Sequence, residues 1–116
     1  MEDSIIKSIV GSFICENYQV GKPLSSKVGY DLVIRKRGGG GIRVSIKTRQ
    51  IRSNNTMMIK SRNFVADILV IHCTTNNENY YFQKEELENL NFLKFGLSNK
   101  NPERNPDNYR DIKRLK

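Results

Sequence analysis

Residues 30–49 read YDLVIRKRGGGGIRVSIKTR, and the fold turns on how this stretch is placed. Leu32, Val33 and Ile34 before the glycines, and Ile42, Val44, Ile46 and Thr48 after them, include many of the β-branched residues that favour strands. The four glycines, 38–41, give the chain the freedom to reverse. The stretch predicts a β-hairpin with arms 30–36 and 42–48. Side chains alternate across a strand, so Ile42, Val44 and Ile46 share one face and Arg43, Ser45 and Lys47 the other. On the first arm Asp31 and Val33 share a face, opposite Tyr30, Leu32 and Ile34. Directly opposed residues of an antiparallel pair point the same way. A register that brings Asp31 near Lys47 therefore brings Ser45 to their face as well.

Upstream, Asp3 and Ser4 are good helix N-caps, and Ile5, Ile6, Ile9, Val10, Phe13 and Ile14 fall on one stripe of a helix of about three turns. Asn17 and Gly21 bracket a short strand, 18–20, and residues 23–27 form a polar loop. Downstream, 50–63 is a polar, basic connection with Asn54 and Asn55 at its tip. Val65–Cys73 is a strongly apolar strand, expected at the centre of the sheet. Residues 74–78 turn the chain, 79–83 return as an edge strand, and 84–90 form a short helix in which Glu85 and Glu86 are ordinary first-turn acids. An apolar patch, 92–97, follows. From Ser98 the chain is Asn/Pro-rich and charged, and is expected to order only where it docks. This organisation is a single domain, 1–97, with a basic C-terminal extension, 98–116, and no internal repeat.

The length of 116 residues supports one small core. No run is long enough to span a bilayer, and the N-terminus lacks a basic region followed by an apolar run. The expectation is an intracellular protein, cytoplasmic or nucleoid-associated. Cys15 and Cys73 each lie in an apolar segment and read as buried, reduced thiols; a zinc site needs more ligands. His72, the single histidine, reads as structural. The net charge of +8 and pI near 9.7 favour a polyanionic partner, usually nucleic acid. Arg35, Lys36, Arg37, Arg43, Lys47, Arg49, Arg52, Lys60 and Arg62 crowd the middle of the chain, and Arg104, Arg110, Lys113, Arg114 and Lys116 the tail. RNA recognition on a sheet calls for an aromatic platform. Tyr80 and Phe82 share a strand face, but Tyr81 points away and no other strand offers a matching pair.

An aspartate and a lysine side by side on a strand pair are the core of a metal-dependent phosphodiesterase site. Two residues before that lysine a second acidic or amide ligand is expected, and this chain has Ser45 there. With the amphipathic first helix, the strand at 18–20, Pro23 and Leu24 ahead of YDLV (30–33), RVSIKTR (43–49), ADILVI (66–71) and YYFQKEEL (80–87), the chain resembles the PD-(D/E)xK nuclease superfamily. That superfamily includes archaeal Holliday-junction resolvases, many restriction enzymes and a group of homing endonucleases.

The resemblance implies an α/β fold with a restriction-endonuclease-like core. Its mixed β-sheet is flanked by helices, in the order α-β-β-β-(α)-β-β-α. It implies a metal-dependent DNA endonuclease that hydrolyses phosphodiester bonds. Mg²⁺ or Mn²⁺ would sit on the Asp31 carboxylate, with Ser45 as a weak second ligand and the Ile46 backbone carbonyl as a third. Lys47 would orient or help deprotonate the attacking water and offset charge on the scissile phosphate. Arg35, Lys36, Arg37, Arg43, Arg49, Arg52, Lys60 and Arg62 would hold duplex or branched DNA, and a chain this short would act as a homodimer. Some members of the superfamily also use a glutamate on the first helix. Here that place falls near Ile6, with Glu2 and Asp3 one turn upstream as candidate helix acids that would reach the site only if the helix is shifted and that better suit the helix dipole. Two readings follow: an active nuclease, and a degenerate domain that binds DNA without cleaving it. Asp67 reads as a strand-start residue paired with a basic neighbour.

Overall fold

The computed structural model describes residues 3–22, 30–59, 65–96 and 104–115; Glu2, Lys60 and Arg62 lie outside them. The N-terminal stripe forms α1 (Asp3–Cys15). Ile9 and Phe13 are fully buried and Ile5, Ile6 and Val10 pack beside them, while Ile14 is exposed at the end of the stripe. The helix stops where Asn17 takes a left-handed φ of 69°, a conformation asparagine tolerates. The Tyr18 N–H then returns to the Phe13 carbonyl at 3.0 Å. Cys15 is exposed, contrary to the buried thiol expected, because the last helical turn carries it off the packed stripe; Cys73 is buried.

Seven strands follow: β1 (Gln19–Gly21), β2 (Leu32–Arg35), β3 (Ile42–Arg49), β4 (Thr56–Met58), β5 (Ile68–Cys73), β6 (Glu78–Gln83) and β7 (Phe92–Lys94). The main sheet runs β1-β2-β3-β5-β6, and β4 pairs with β7 in a second, two-stranded sheet. The expected hairpin is β2–β3, with Leu32 against Val44 and Ile34 against Ile42. Gly38, at φ 79°, supplies the left-handed residue of its turn. β3 pairs with β5 in parallel, and the other pairs are antiparallel. The fold is thus α/β with a mixed sheet.

β3, rather than the apolar strand after it, takes the centre. Its Arg43, Lys47 and Arg49 disguise a run, Val44–Ile46, that is fully buried. β5 lies one place out and is apolar because both its faces are covered. On one face α1 packs Ile9 and Phe13 against Leu32, Ile34, Val44, Ile46, Val70 and Tyr81. On the other, Leu69, Ile71, Tyr80 and Phe82 meet Met57 of β4 and Leu93 of β7. Where the order allowed a helix in the basic connection, the described residues 50–59 hold β4 instead. The helix expected at 84–90 is a 3₁₀ segment, Lys84–Glu88, closed by a capping box between Gln83 and Glu86.

Phe13 stands edge-on to Tyr18 and Tyr81, with ring centroids 5.5 and 6.1 Å away. Because its ring is fully enclosed, Phe13→Ala is expected to cost about 3–5 kcal/mol. Urea denaturation would read this as a lower midpoint at unchanged slope.

The tail does dock. Its 3₁₀ segments Pro106–Tyr109 and Ile112–Arg114 bring Pro106, Tyr109 and Leu115 into the buried set. The Tyr109 ring stacks on Phe82 at 4.8 Å. Arg114 Nη1 donates to the Tyr81 carbonyl at 2.8 Å and to Glu86 Oε1 at 2.7 Å, while Nη2 donates to Glu86 Oε2. This two-pronged pair is the strong form of an arginine–carboxylate contact. Burial pushes the Glu86 carboxyl up, but hydrogen bonds from Arg114 and the Gln83 N–H, with the Arg114 charge, outweigh it and hold the carboxyl below its usual range.

A carboxyl lowered by folding contributes stability that is present above its unfolded pKa and lost as pH falls through the folded value. The contribution of this pair should therefore be complete at neutral pH and fade below about pH 4.5. In denaturant melts, Glu86→Gln should be less stable than the wild type at neutral pH. The gap should close as the solution is acidified.

Candidate active site and nucleic-acid interface

Asp31 sits one residue ahead of β2. Its N–H donates to the Val44 carbonyl at 2.8 Å, and its Oδ2 accepts the Ile46 N–H at 2.7 Å. Backbone groups two residues apart on a strand face the same edge, so Ile46 offers the next ladder donor on β3 beyond Val44. The β2 register ends at Leu32, and the Asp31 carboxylate takes the acceptor's place there. The N–H and C=O of one strand residue face the same neighbour, which directs the Ile46 carbonyl to this edge too.

Ser45 and Lys47 flank Ile46 on β3. Ser45 is 3% exposed and level with Leu69 of β5, while Lys47 is half-buried and level with Ile71. Asp31 thus meets the Ile46 backbone on the central strand. Ser45 and Lys47, the residues on either side of Ile46, point to the face away from α1, because Val44 and Ile46 pack toward the helix. Glu2 lies outside the described residues, and Asp3 opens α1. The helix residues bordering Asp31 are Ile6, Lys7 and Val10, which with Lys22 line a cavity of about 510 Å³. Lys7 and Lys22 escaped the sequence reading because each stands apart from the basic cluster and carries no motif.

The candidate donors are all oxygen: the Asp31 carboxylate and the Ile46 carbonyl at the β2-facing side of β3, and the hydroxyl of the neighbouring Ser45. They suit a hard divalent cation in kind, and waters would have to fill much of its shell. Among the described residues no three or more His, Cys, Asp or Glu side chains gather as a metal-binding group.

The basic residues divide. Arg35, Lys36 and Arg37 are exposed at the hairpin tip, where Lys36 Nζ lies 4.8 Å from the Tyr18 ring centroid. Arg43 is also at this end, paired with Asp67 as expected of a strand-start residue: Nε lies 3.3 Å from Oδ2, and the Arg43 N–H donates to the same oxygen at 2.9 Å. The hydrogen bond from the Arg43 side chain, against the effect of burial, holds the Asp67 carboxyl below its usual range. Arg49 and Arg52 stand at the far end of β3. Arg49 is half-buried and donates from Nη1 to the Thr48 carbonyl at 2.8 Å; Arg52 is exposed. Six residues of strand, roughly 20 Å, separate Arg43 from Arg49. His72 Nδ1 lies 2.7 Å from Asn79 Oδ1, a structural contact. Tyr80 and Phe82 share a face but are buried in the core and cannot stack bases.

The architecture is a nuclease-like fold. Four chains of solved structures match it. One is a bacterial homing endonuclease, I-Ssp6803I, which superposes with a TM-score of 0.65 over 93% of this chain and 81% of its own, at 18% sequence identity. No protein-family model and no curated protein matches the chain. Among the described residues no helix is long and apolar enough to cross a membrane.

Proposed function

We propose that this protein is a DNA endonuclease of the PD-(D/E)xK type, hydrolysing phosphodiester bonds with Mg²⁺ or Mn²⁺ and acting on duplex or branched DNA as a homodimer. The observation that carries the reading is the Asp31 carboxylate anchored on the Ile46 N–H, which fixes an acid at the edge of β3 between Ser45 and Lys47. The homing endonuclease with a similar fold supports it. Asp31 and the Ile46 carbonyl would hold the ion, with Ser45 a weak further donor. A bound ion would supply a coordinated water of lowered pKa and offset charge on the leaving oxygen. Lys47 holds the attacking water and balances charge on the scissile phosphate. Arg35, Lys36 and Arg37 at one end of the hairpin, and Arg49 and Arg52 at the other, take flanking phosphates. Because Arg43 and Arg49 on β3 are already roughly 20 Å apart, the two groups lie at least that far apart, about six or more base-pair steps at about 3.4 Å of helix axis each. Arg43, already paired with Asp67, contributes less, and Lys60 and Arg62, outside the described residues, are further candidates by sequence alone.

A second reading, DNA binding without cleavage, is favoured by Ser45 standing where a charged ligand would hold the ion. Supercoiled plasmid and a four-way junction, incubated with Mg²⁺, Mn²⁺ or EDTA, separate the two. Cleavage that requires the metal supports the nuclease. DNA that is retarded in a gel but uncut under every condition supports the binder.

A further inference from the structure

The cavity beside Asp31 holds two positive charges that the proposed chemistry leaves unassigned. Lys7 comes from α1 and Lys22 from the end of β1, and both are exposed. Gly21, next to Lys22, pairs with Val33, which brings Lys22 alongside the start of β2 and so beside Asp31. Among the described residues neither lysine takes part in an ion pair. We infer that Lys7 and Lys22 form a phosphate-binding pair that seats a nucleic-acid backbone across the mouth of this cavity, next to Asp31. The inference rests on the DNA-binding reading above and adds the place where the strand enters.

Three features support it. Among the described lining residues two ammonium groups outnumber one carboxylate, a net positive charge that attracts an anion. Ile6 and Val10 form an apolar wall between the lysines. The same wall suits the apolar face of a sugar. Finally, the lysines approach from two separate elements on the cavity that Asp31 borders, as needed to hold the backbone near the acid rather than merely near the protein.

The test is fluorescence anisotropy with a labelled duplex in EDTA, where cleavage cannot interfere, repeated across a salt series. The double variant Lys7→Gln/Lys22→Gln is compared with Lys84→Gln/Lys113→Gln. That pair loses the same charge near β6, four strand spacings or about 19 Å from β1. Loss of two phosphate contacts lowers the slope of log K against log salt by about 1.8, at about 0.9 per phosphate for duplex DNA. The Lys7/Lys22 variant should show that drop with weaker binding, and the Lys84/Lys113 variant should keep the wild-type slope. An unchanged slope in the Lys7/Lys22 variant overturns the inference, as does an equal drop in both variants. A wild type that does not bind duplex overturns the functional reading itself. Far-UV circular dichroism confirms that both variants fold.

Discussion

Asp31→Asn should leave the protein folded and remove metal-dependent cleavage. The amide oxygen of asparagine can still accept the Ile46 N–H, so the clamp between the start of β2 and the central strand survives. What disappears is the negative charge, the only one among the donors gathered at that point. The rate should fall by about 10²- to 10³-fold or more, the scale set by removing one preorganised charge-stabilising group. Asp31→Ala should lose cleavage too, but it also strips the Ile46 N–H of its acceptor. If that donor stays dry, the variant is less stable by about 1–3 kcal/mol. Nicking rates on plasmid, with denaturant melts on both variants, separate the acid's chemical role from its structural one. An Asn variant that cuts at the wild-type rate would show that Asp31 is not the metal ligand.

The double duty of Asp31 also marks where the sequence stops being informative. The hairpin, the first helix, the buried β5 and the edge strand β6 were readable, because each carries its periodicity within one short window. β4 and β7 were not: each has three residues, too few to alternate, and their partners lie more than thirty positions apart in the chain. The central place of β3 was hidden because its apolar residues are interleaved with Arg43, Lys47 and Arg49. The tail looked dispersed because its anchors, Pro106, Tyr109 and Leu115, are scattered among polar residues and gain their meaning only against Phe82 and Glu86.

The candidate site was readable as residue types and not as geometry. Alternation placed Ser45 and Lys47 together on β3, but it could not show that the Asp31 side chain bonds to the backbone of that central strand. Charge read along the chain was likewise misleading about space. A single cluster in sequence becomes two groups at opposite ends of β3, and Arg43 is drawn to Asp67. The lysines beside Asp31 lay outside that cluster altogether.

Ser45→Glu is the substitution that divides a cutter from a binder, and the burial of Ser45 makes its cost large. At 3% exposure, a glutamate there must be desolvated on the central strand. Without a cation the variant should lose about 3 kcal/mol or more, the scale of an uncompensated buried charge. With Mn²⁺ the two carboxylates and the Ile46 carbonyl become a stronger donor set, and binding to the folded state alone restores stability, by about 2.7 kcal/mol at a hundredfold excess over Kd. Thermal melts in EDTA and in Mn²⁺ should therefore differ widely for this variant and little for the wild type. Ser45→Gln, nearly the same size but uncharged, should be destabilised alike in both buffers, which isolates crowding from charge. If Mn²⁺ rescues Ser45→Glu and cleavage rises above the wild type, the missing carboxylate was the site's limiting defect. Rescue without cleavage would leave the protein a binder whose metal site can be rebuilt but not its chemistry. A melt that ignores Mn²⁺ would remove Ser45 from the ligand set.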